Sequence, residues 1–331
     1  MRSIEQLESG FVAPLESYGL VRVSGEDAVT FIHGQLSHDI ARLKADEARM
    51  AGYCTPEGRL LAILLVWKSV SDIWLMMPRE ILPALLTRLQ IYILRSKVTM
   101  TDVSDEYAIH GLGGKKAPDA LASVFSALPD SAYDKTESAP GTLIRVTDAF
   151  GGARFLWVLP AAARAASASL SDTLYIANDE DWALGDIAAG LPQVYEATQN
   201  RFVPQMMNME LVDGLSFTKG CYPGQEIVAR TQFRGTLKRR MLPAYAGIPG
   251  EKTAREAGIV PGLDVFDTKA PHEACGIVVR AARFDTGRID CLMVVSRELS
   301  ASGSLRLGAL DGPALHITPL PYALPDEAGE S

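Results

Sequence analysis

The pattern of hydrophobic residues changes at Arg240, and this change constrains the fold more than any other feature of the chain. Before it, β-like runs alternate with segments of helical spacing; after it, short β-like runs are separated by glycine, proline and aspartate, with no long helical segment. Short strands punctuated in this way are typical of a sandwich or barrel. The chain is therefore predicted to end in a small all-β domain over residues 241–325.

The preceding part has an α+β pattern. Leu60–Trp67 and Asp72–Met77 are β-like runs joined by a short turn, and Pro78 opens a segment of amphipathic helical spacing. These features predict an antiparallel hairpin with a helix packed on one face. A new unit begins at Tyr107, and 331 residues suit two or three domains.

Composition narrows the class of protein. With 47% hydrophobic and 22% charged residues the chain is an ordinary globular protein, and its longest apolar run, Leu60–Trp67, is far short of the roughly 20 residues of a membrane-spanning helix. The first residues lack the apolar core of a signal peptide, and the four cysteines are widely spaced without a C-x-x-C pair. We therefore expect free thiols and a cytoplasmic protein without a membrane partner.

The densest group of chemically active side chains is Lys219-Gly220-Cys221-Tyr222-Pro223-Gly224-Gln225-Glu226, which runs on to Arg230. Its glycines permit a tight turn, and its proline and glutamate suit the first turn of a helix. A thiol in front of a helix and beside a lysine favours the thiolate form. The segment is interpreted as a functional site; the alternative is a tight loop with a half-buried cysteine.

The same region is basic although the chain as a whole is acidic. Between Lys219 and Arg240 there are six basic residues and one acidic residue, against a net charge of −8 for the chain. Such a patch suits an anion, a polyglutamate tail or RNA, or it is simply a solvated helix face followed by a basic strand. The overall charge and the lack of interleaved aromatic residues argue against direct tRNA binding.

Two further groups invite a functional interpretation. Trp182 lies on a predicted helix with acidic residues in its first turn and Gly190 at its end, and it is interpreted as either a stacking surface or a core residue. His33, His38 and Asp39 suggest a metal site, but the two histidines do not share a helical face and no third ligand is near in sequence. No metal site is predicted.

Four stretches together resemble a known family. They are Phe31–Asp39 (FIHGQLSHD), Leu94–Val98 (LRSKV), Phe202–Asn208 (FVPQMMN) and Phe217–Glu226 (FTKGCYPGQE). The pattern is similar to the YgfZ-type folate-binding proteins, relatives of the glycine-cleavage T-protein (aminomethyltransferase). The last stretch is the family signature, which commonly has threonine where this chain has Pro223. The likeness runs over nearly the whole chain.

The resemblance implies a three-domain α+β ring around a central channel. Its expected parts are a folate-binding domain over 1–105 plus about 180–240, a ferredoxin-like domain over 106–179, and a C-terminal β-barrel over 241–325. It also implies tetrahydrofolate or a derivative as cofactor, and a role in making or maintaining iron–sulfur enzymes, including enzymes that modify tRNA. These enzymes are expected to be indirect or transient partners.

The resemblance also suggests site residues. Two aromatic positions associated with folate correspond to Trp182 and Tyr18, and the family turn adds the further ligand-site residues Tyr222, Gly224, Gln225, Glu226 and Arg230. Cys221 is predicted to be the reactive thiol, with Lys219 as its cation. The thiol and the aromatic pair are expected to face one cavity.

Three positions depart from the T-protein pattern. Its paired aspartates correspond to Ala62 and Ile63, which cannot transfer a proton. Its pterin-contacting glutamate corresponds to Ala188. A folate-binding protein that supports iron–sulfur enzymes is therefore preferred over an aminomethyltransferase-like enzyme of one-carbon transfer.

Overall fold

The computed structural model describes residues 3–164, 169–234, 237–300 and 303–325. The helices are α1 (Ile4–Ser9), α2 (Ala28–Gln35), α3 (Leu82–Ile91), α4 (Ala117–Ala122), α5 (Asp179–Ala188), α6 (Gln225–Arg234) and α7 (Arg297–Ser300). The strands are β1 (Phe11–Pro14), β2 (Tyr18–Ser24), β3 (Ala48–Cys54), β4 (Leu60–Lys68), β5 (Asp72–Pro78), β6 (Thr99–Asp102), β7 (Tyr107–Gly113), β8 (Lys135–Ser138), β9 (Gly141–Ala149), β10 (Gly152–Pro160), β11 (Tyr175–Ile176), β12 (Arg239–Gly247), β13 (Asp264–Asp267), β14 (Gly276–Asp285), β15 (Arg288–Ser296), β16 (Leu305–Leu307) and β17 (Leu315–Ile317).

The first sheet has the order β3-β4-β5-β2-β6, and β4 pairs antiparallel with β5 as the predicted hairpin requires. Strand β4 is apolar almost throughout because both of its faces are covered. Ala62 and Leu64 pack in the core that contains residues of helices α2 and α3, whereas Ile63 and Leu65 belong to the core shared with the other sheets. This alternation, which follows from the two-residue repeat of a strand, turns Ile63 toward the centre of the molecule.

The second sheet has the order β11-β1-β7-β10-β9-β8. The predicted first domain included residues 11–14, but β1 pairs antiparallel with β7 and parallel with β11, so it belongs to the second sheet. Its side chains favour this position, since Phe11 and Ala13 are fully buried there. The predicted boundary near residue 105 falls between β6 and β7, which lie in different sheets.

The third sheet is the predicted C-terminal barrel. Its order is β16-β13-β14-β15-β12-β17, and a bridge between Arg306 and Ala314 brings the two ends together. Strands β12, β14 and β15 alternate inward-facing apolar residues around a core of their own, and the opposite face of β14 contributes Ile277 and Val279 to the central core. The barrel is thus packed directly against the rest of the molecule.

Helix α5 lies where the three sheets meet. Asn178 caps its first turn by accepting hydrogen bonds from the backbone N–H groups of Glu180 and Asp181. Gly190, with φ of +64°, follows its last turn, as the sequence predicts. None of the helices in the described ranges is long and apolar enough to cross a membrane.

Candidate functional site

A cavity lies at the junction of the three sheets, with a volume of about 70 Å³ within a space of about 500 Å³ that includes its open mouth. Its walls are mostly apolar side chains from β3, β4, β5, β9 and β10, and α5 and β14 close it with polar groups. The lining residues are Tyr18, Met50, Ile63, Leu64, Leu65, Met76, Tyr133, Val146, Arg154, Leu156, Trp182, Asp186, Leu191, Pro192, Gln193 and Arg280. Apolar walls with a few convergent polar groups are typical of a small-molecule site.

Tyr18 and Trp182, the two aromatic residues that the resemblance associates with folate, line this cavity. Trp182 is only 3% exposed, and the guanidinium carbon of Arg154 lies 4.2 Å from its ring centroid. Gly111 of β7 packs against the ring so closely that an added Cβ would lie 2.3 Å from Trp182 Cε3. Because the ring is packed in this way, Trp182 is both a core residue and part of the cavity wall.

A buried carboxylate joins the polar groups of the cavity. Asp186 lies one helical turn after Trp182, and its two carboxylate oxygens accept hydrogen bonds from Arg154 and Arg280. Arg280 also donates a hydrogen bond to the hydroxyl of Tyr18 at 3.3 Å. Burial raises the pKa of Tyr18, which therefore stays neutral and presents a hydroxyl rather than a phenolate. Arg154 comes from β10 of the second sheet, Asp186 from helix α5 and Arg280 from β14 of the barrel.

The turn that carries Cys221 lies outside this cavity. Lys219 is 7% exposed, and its ammonium donates hydrogen bonds to the carbonyl oxygens of His33 and Leu36 at the end of α2. It also lies 5.0 Å from the ring centroid of Tyr222. Burial lowers the pKa of Lys219 to about 8. The lysine thus stabilises the carboxyl end of a helix, where backbone carbonyls lack partners and carry partial negative charge.

The turn after Cys221 packs on the loop between β3 and β4. Gly224 has φ of +80°, and a Cβ there would lie 2.5 Å from the carbonyl oxygen of Thr55 and 2.6 Å from Cα of Gly58. Only glycine fits such an approach. Cys221 itself is exposed in front of α6, which begins at Gln225, close to its predicted start near Pro223.

The thiol and the aromatic pair therefore do not share a cavity, contrary to the prediction. Tyr18 and Trp182 line it, but the predicted turn residues do not: these are Lys219, Cys221, Tyr222, Gly224, Gln225, Glu226 and Arg230. The reason is the anchoring of the turn on α2 and on the loop around Gly58. Strand β4 starts at Leu60, after this loop, and the strand rise from Leu60 to Ile63, where β4 lines the cavity, adds about 10 Å. Glu226 and Arg230 are exposed on α6.

The basic segment from Lys219 to Arg240 presents less positive charge on the protein surface than its sequence suggests. Lys219 is buried, and Arg240 is buried in an ion pair with Glu210 and in a hydrogen bond of 2.8 Å to the carbonyl oxygen of Gln205. The exposed cations whose side chains are described are Arg230, Lys238 and Arg239. Part of the positive charge of this segment is therefore buried in the folded protein.

The positions that depart from the T-protein pattern have separate environments. Ile63 lines the cavity, Ala62 faces the core beneath α2 and α3, and Ala188 is exposed.

His38 contacts Asp213 at 3.7 Å, and Nδ1 of His33 accepts a hydrogen bond from the N–H of Ala41. Within the described ranges no group of three or more His, Cys, Asp or Glu side chains is arranged to hold a metal ion.

Sequence reasoning missed Arg154, Asp186 and Arg280. Asp186 carried a usable signal, because a residue four positions after Trp182 shares its helical face. The two arginines carried none, since each reaches the cavity from a strand far away in sequence.

The chain folds as an aminomethyltransferase-like protein. The glycine cleavage system aminomethyltransferase T from Bartonella henselae superposes with a TM-score of 0.74 over 96% of this chain and 88% of that one, at 16% identity. That likeness concerns the fold alone.

Sequence similarity identifies the family within this fold. The tRNA-modifying protein YgfZ of Serratia proteamaculans (strain 568) is 32% identical over 317 residues, which cover 95% of this chain and 92% of that protein. The protein of the same name from Sodalis glossinidius (strain morsitans) is 31% identical over 311 residues, 94% and 92% of the two chains. No family model matches the chain. The chain belongs to the YgfZ family.

Proposed function

We propose that this protein binds tetrahydrofolate or a derivative in the central cavity and thereby supports the assembly or repair of iron–sulfur enzymes, including enzymes that modify tRNA. The observation that carries the proposal is the cavity itself. It lies where the three sheets of an aminomethyltransferase-like fold meet, and Tyr18 and Trp182 are in its wall. A cytoplasmic location is part of the proposal.

The residues of the cavity suit such a ligand. Apolar walls from β4 and β5 favour a flat heterocycle, and Tyr18 and Gln193 provide a hydroxyl and an amide close to it. Arg154 and Arg280 add N–H donors for ligand oxygens. When bound, a tetrahydrofolate supplies one-carbon chemistry; this chain supplies binding, orientation and exclusion of water.

One-carbon transfer by the protein itself is the weaker alternative. Ile63 stands in the cavity wall where the resemblance to the T-protein leads one to expect a carboxylate, and an alkyl side chain cannot accept or donate a proton. Asp186 is the carboxylate of the cavity, and its two oxygens are already paired with arginines. We expect no folate-dependent release of ammonia from an aminomethyl donor; robust turnover would overturn this ranking.

Cys221 is proposed to act on the surface rather than in the cavity. Its exposure suits contact with a partner enzyme or a sulfur species, and the anchoring of Lys219 keeps the turn in place.

Direct tRNA binding is not part of the proposal, because two of the six cations between Lys219 and Arg240 are buried. A steep salt dependence of tRNA binding would contradict this view.

Calorimetry with tetrahydrofolate tests the ligand. We expect binding to the unaltered protein and a loss of at least about tenfold in affinity for Trp182→Ala, because the cavity wall is removed. Trp157→Ala is the matched control, since Trp157 is fully buried but packs in a separate core of the second sheet. Circular dichroism checks that both variants are folded. Equal affinities of all three proteins, or no binding to any, would disprove the proposed site.

A cell-based assay tests the thiol. Cys221→Ser is expected to lower iron–sulfur enzyme activity in cells that lack the native protein, while the affinity for tetrahydrofolate stays unchanged because the thiol does not line the cavity. Cys275→Ser, a partly exposed cysteine of the barrel, serves as control. Full activity with Cys221→Ser would remove the thiol from the proposal.

A further inference from the structure

The segment after the last strand contacts the part of the chain that forms one wall of the central cavity. This C-terminal segment, residues 318–325, follows β17, and its Leu320 and Leu324 pack on the core of the barrel. Its Tyr322 reaches a different partner, because the hydroxyl donates a hydrogen bond of 2.7 Å to the carbonyl oxygen of Gly190, just after α5. One side chain of the C-terminal segment thus ties the end of α5 to the barrel.

Gly190 has the shape that this contact requires. Its φ of +64° lies in the left-handed region, which favours glycine. A Cβ at Gly190 would lie 2.8 Å from Cε1 of Tyr322 and 3.1 Å from Cδ2 of Leu320. The ring and the hydroxyl of Tyr322 therefore both hold Gly190 in place. The three residues that follow Gly190 line the cavity: Leu191, Pro192 and Gln193.

Asn208 orients the Tyr322 hydroxyl from the other side. It is fully buried in the left-handed region, with φ of +58°, which asparagine tolerates. Its side-chain nitrogen donates hydrogen bonds to the carbonyl oxygen of Met241 at 2.8 Å and to the Tyr322 hydroxyl at 3.3 Å. Burial raises the pKa of Tyr322 to about 12, so at neutral pH the hydroxyl keeps the proton that it donates to Gly190.

We infer that Tyr322 is a positioning residue of the cavity: through Gly190 it fixes the wall formed by residues 191–193, and the affinity for the ligand depends on this contact. The inference rests on the proposed function, which supplies the ligand. Tyr322 is outside the cavity lining, so it acts through the wall and does not touch the ligand. A wall that is held before binding spares the ligand the cost of ordering it.

A purely structural role of Tyr322 makes different predictions. If the residue only fastens the C-terminal segment, its loss lowers stability but leaves the affinity of the cavity unchanged. If it positions the wall, ligand and contact stabilise each other, because coupling between two sites is reciprocal. A ligand in the cavity then protects residues 318–325 from amide hydrogen exchange.

The experiment compares the unaltered chain with Tyr322→Phe and Tyr245→Phe. The control removes the hydroxyl of another barrel tyrosine, whose ring stacks on His316 with 4.9 Å between centroids. Calorimetry measures the affinity for tetrahydrofolate, and circular dichroism checks folding. Amide hydrogen exchange is measured with and without tetrahydrofolate at residues 191–194 and 318–325.

Tyr322→Phe is expected to lose about fivefold in affinity, the equivalent of one hydrogen bond of typical net strength. Without ligand, its residues 191–194 should exchange faster than those of the unaltered chain, and Tyr245→Phe should match the unaltered chain in both measurements. Tetrahydrofolate should slow exchange at residues 318–325 of the unaltered chain. Equal affinities of the unaltered chain and Tyr322→Phe, or no effect of tetrahydrofolate on residues 318–325, would overturn the inference.

The two proposals can fail separately. If tetrahydrofolate binds all three proteins equally, the proposed function stands and the positioning role of Tyr322 falls. If it binds none of them, the proposed function falls, and exchange without ligand decides the positioning role. Faster exchange at residues 191–194 in Tyr322→Phe alone would then support that role, and equal rates in all three proteins would refute it.

Discussion

At the scale of single residues, Lys219 shows how a side chain with an expected chemical role can have a structural one. Its ammonium hydrogen-bonds the carbonyl oxygens of His33 and Leu36, so it stabilises the end of α2 and fixes the turn that carries Cys221. Burial removes water from this ammonium and so disfavours its charged form. The pKa of Lys219 is therefore lowered to about 8.

The buried lysine predicts a pH dependence of stability. Its pKa is about 8 in the folded protein against an ordinary value of 10.5, so between these values the unfolded chain binds more protons and the free energy of unfolding rises with pH. The cost of burying the charge is present in full below pH 8 and is relieved toward pH 10.5. Lys219→Met removes this titration.

Urea unfolding from pH 7 to pH 10 measures the effect as a difference between proteins, which cancels the groups that they share. The unaltered protein should gain stability relative to Lys219→Met as pH rises. Lys238→Met, which changes an exposed lysine, should follow the unaltered protein. Parallel curves for the unaltered protein and Lys219→Met would contradict the shifted pKa.

At the scale of secondary-structure elements, the close approach of α5 to β7 positions the cavity wall. Trp182 lies over Gly111, and the missing side chain at Gly111 is what lets helix and strand approach. The same helix carries Asp186 one turn later, so the contact that places the ring also places the carboxylate.

Gly111→Ala should therefore destabilise the protein. A Cβ at 2.3 Å from the Trp182 ring must displace the indole, and overpacking of this kind costs about 1–3 kcal/mol of unfolding free energy. The displaced ring should also alter tryptophan fluorescence and weaken ligand binding in the cavity. Chemical denaturation and fluorescence spectra measure both effects.

Gly34→Ala provides the contrast. Gly34 lies within α2, and a Cβ there would meet no atom within 4 Å. Alanine at this position should stabilise the protein by about 0.5–1 kcal/mol, because it has the higher helix propensity. Equal effects of the two substitutions would show that the contact between Gly111 and Trp182 does not matter.

At the scale of the whole molecule, Asp186 links the three sheets. It lies on α5 and pairs with Arg154 of the second sheet and Arg280 of the barrel, and Arg280 reaches on to Tyr18 of the first sheet. One carboxylate therefore connects charged groups from two of the sheets and contributes to the polarity of the cavity.

Asp186→Asn should lower the free energy of unfolding by about 3–5 kcal/mol, because two buried guanidinium groups lose their common carboxylate. Asp264→Asn, which changes an exposed carboxylate of the barrel, should stay within about 0.5 kcal/mol of the unaltered protein. Urea unfolding of both variants provides the measurement. Stability of Asp186→Asn equal to that of Asp264→Asn would mean that the buried cluster does not contribute.

Prediction from the sequence was accurate where the signal was local. The β4–β5 hairpin, the first turn of α5, the helix after Pro223 and the C-terminal barrel each follow from hydrophobic periodicity, capping residues or turn residues within a short segment. The place of β1 in the second sheet was missed, because its partners β7 and β11 are remote along the chain.

The sequence by itself determined the family, the mixed fold with its terminal barrel, and Tyr18 and Trp182 of the cavity wall. Only the tertiary structure decided that Cys221 lies away from that cavity and that Arg154 and Arg280 meet at Asp186. The physical reason is that periodicity and capping act between neighbours in the chain. Charges from separate strands converge only when whole sheets pack.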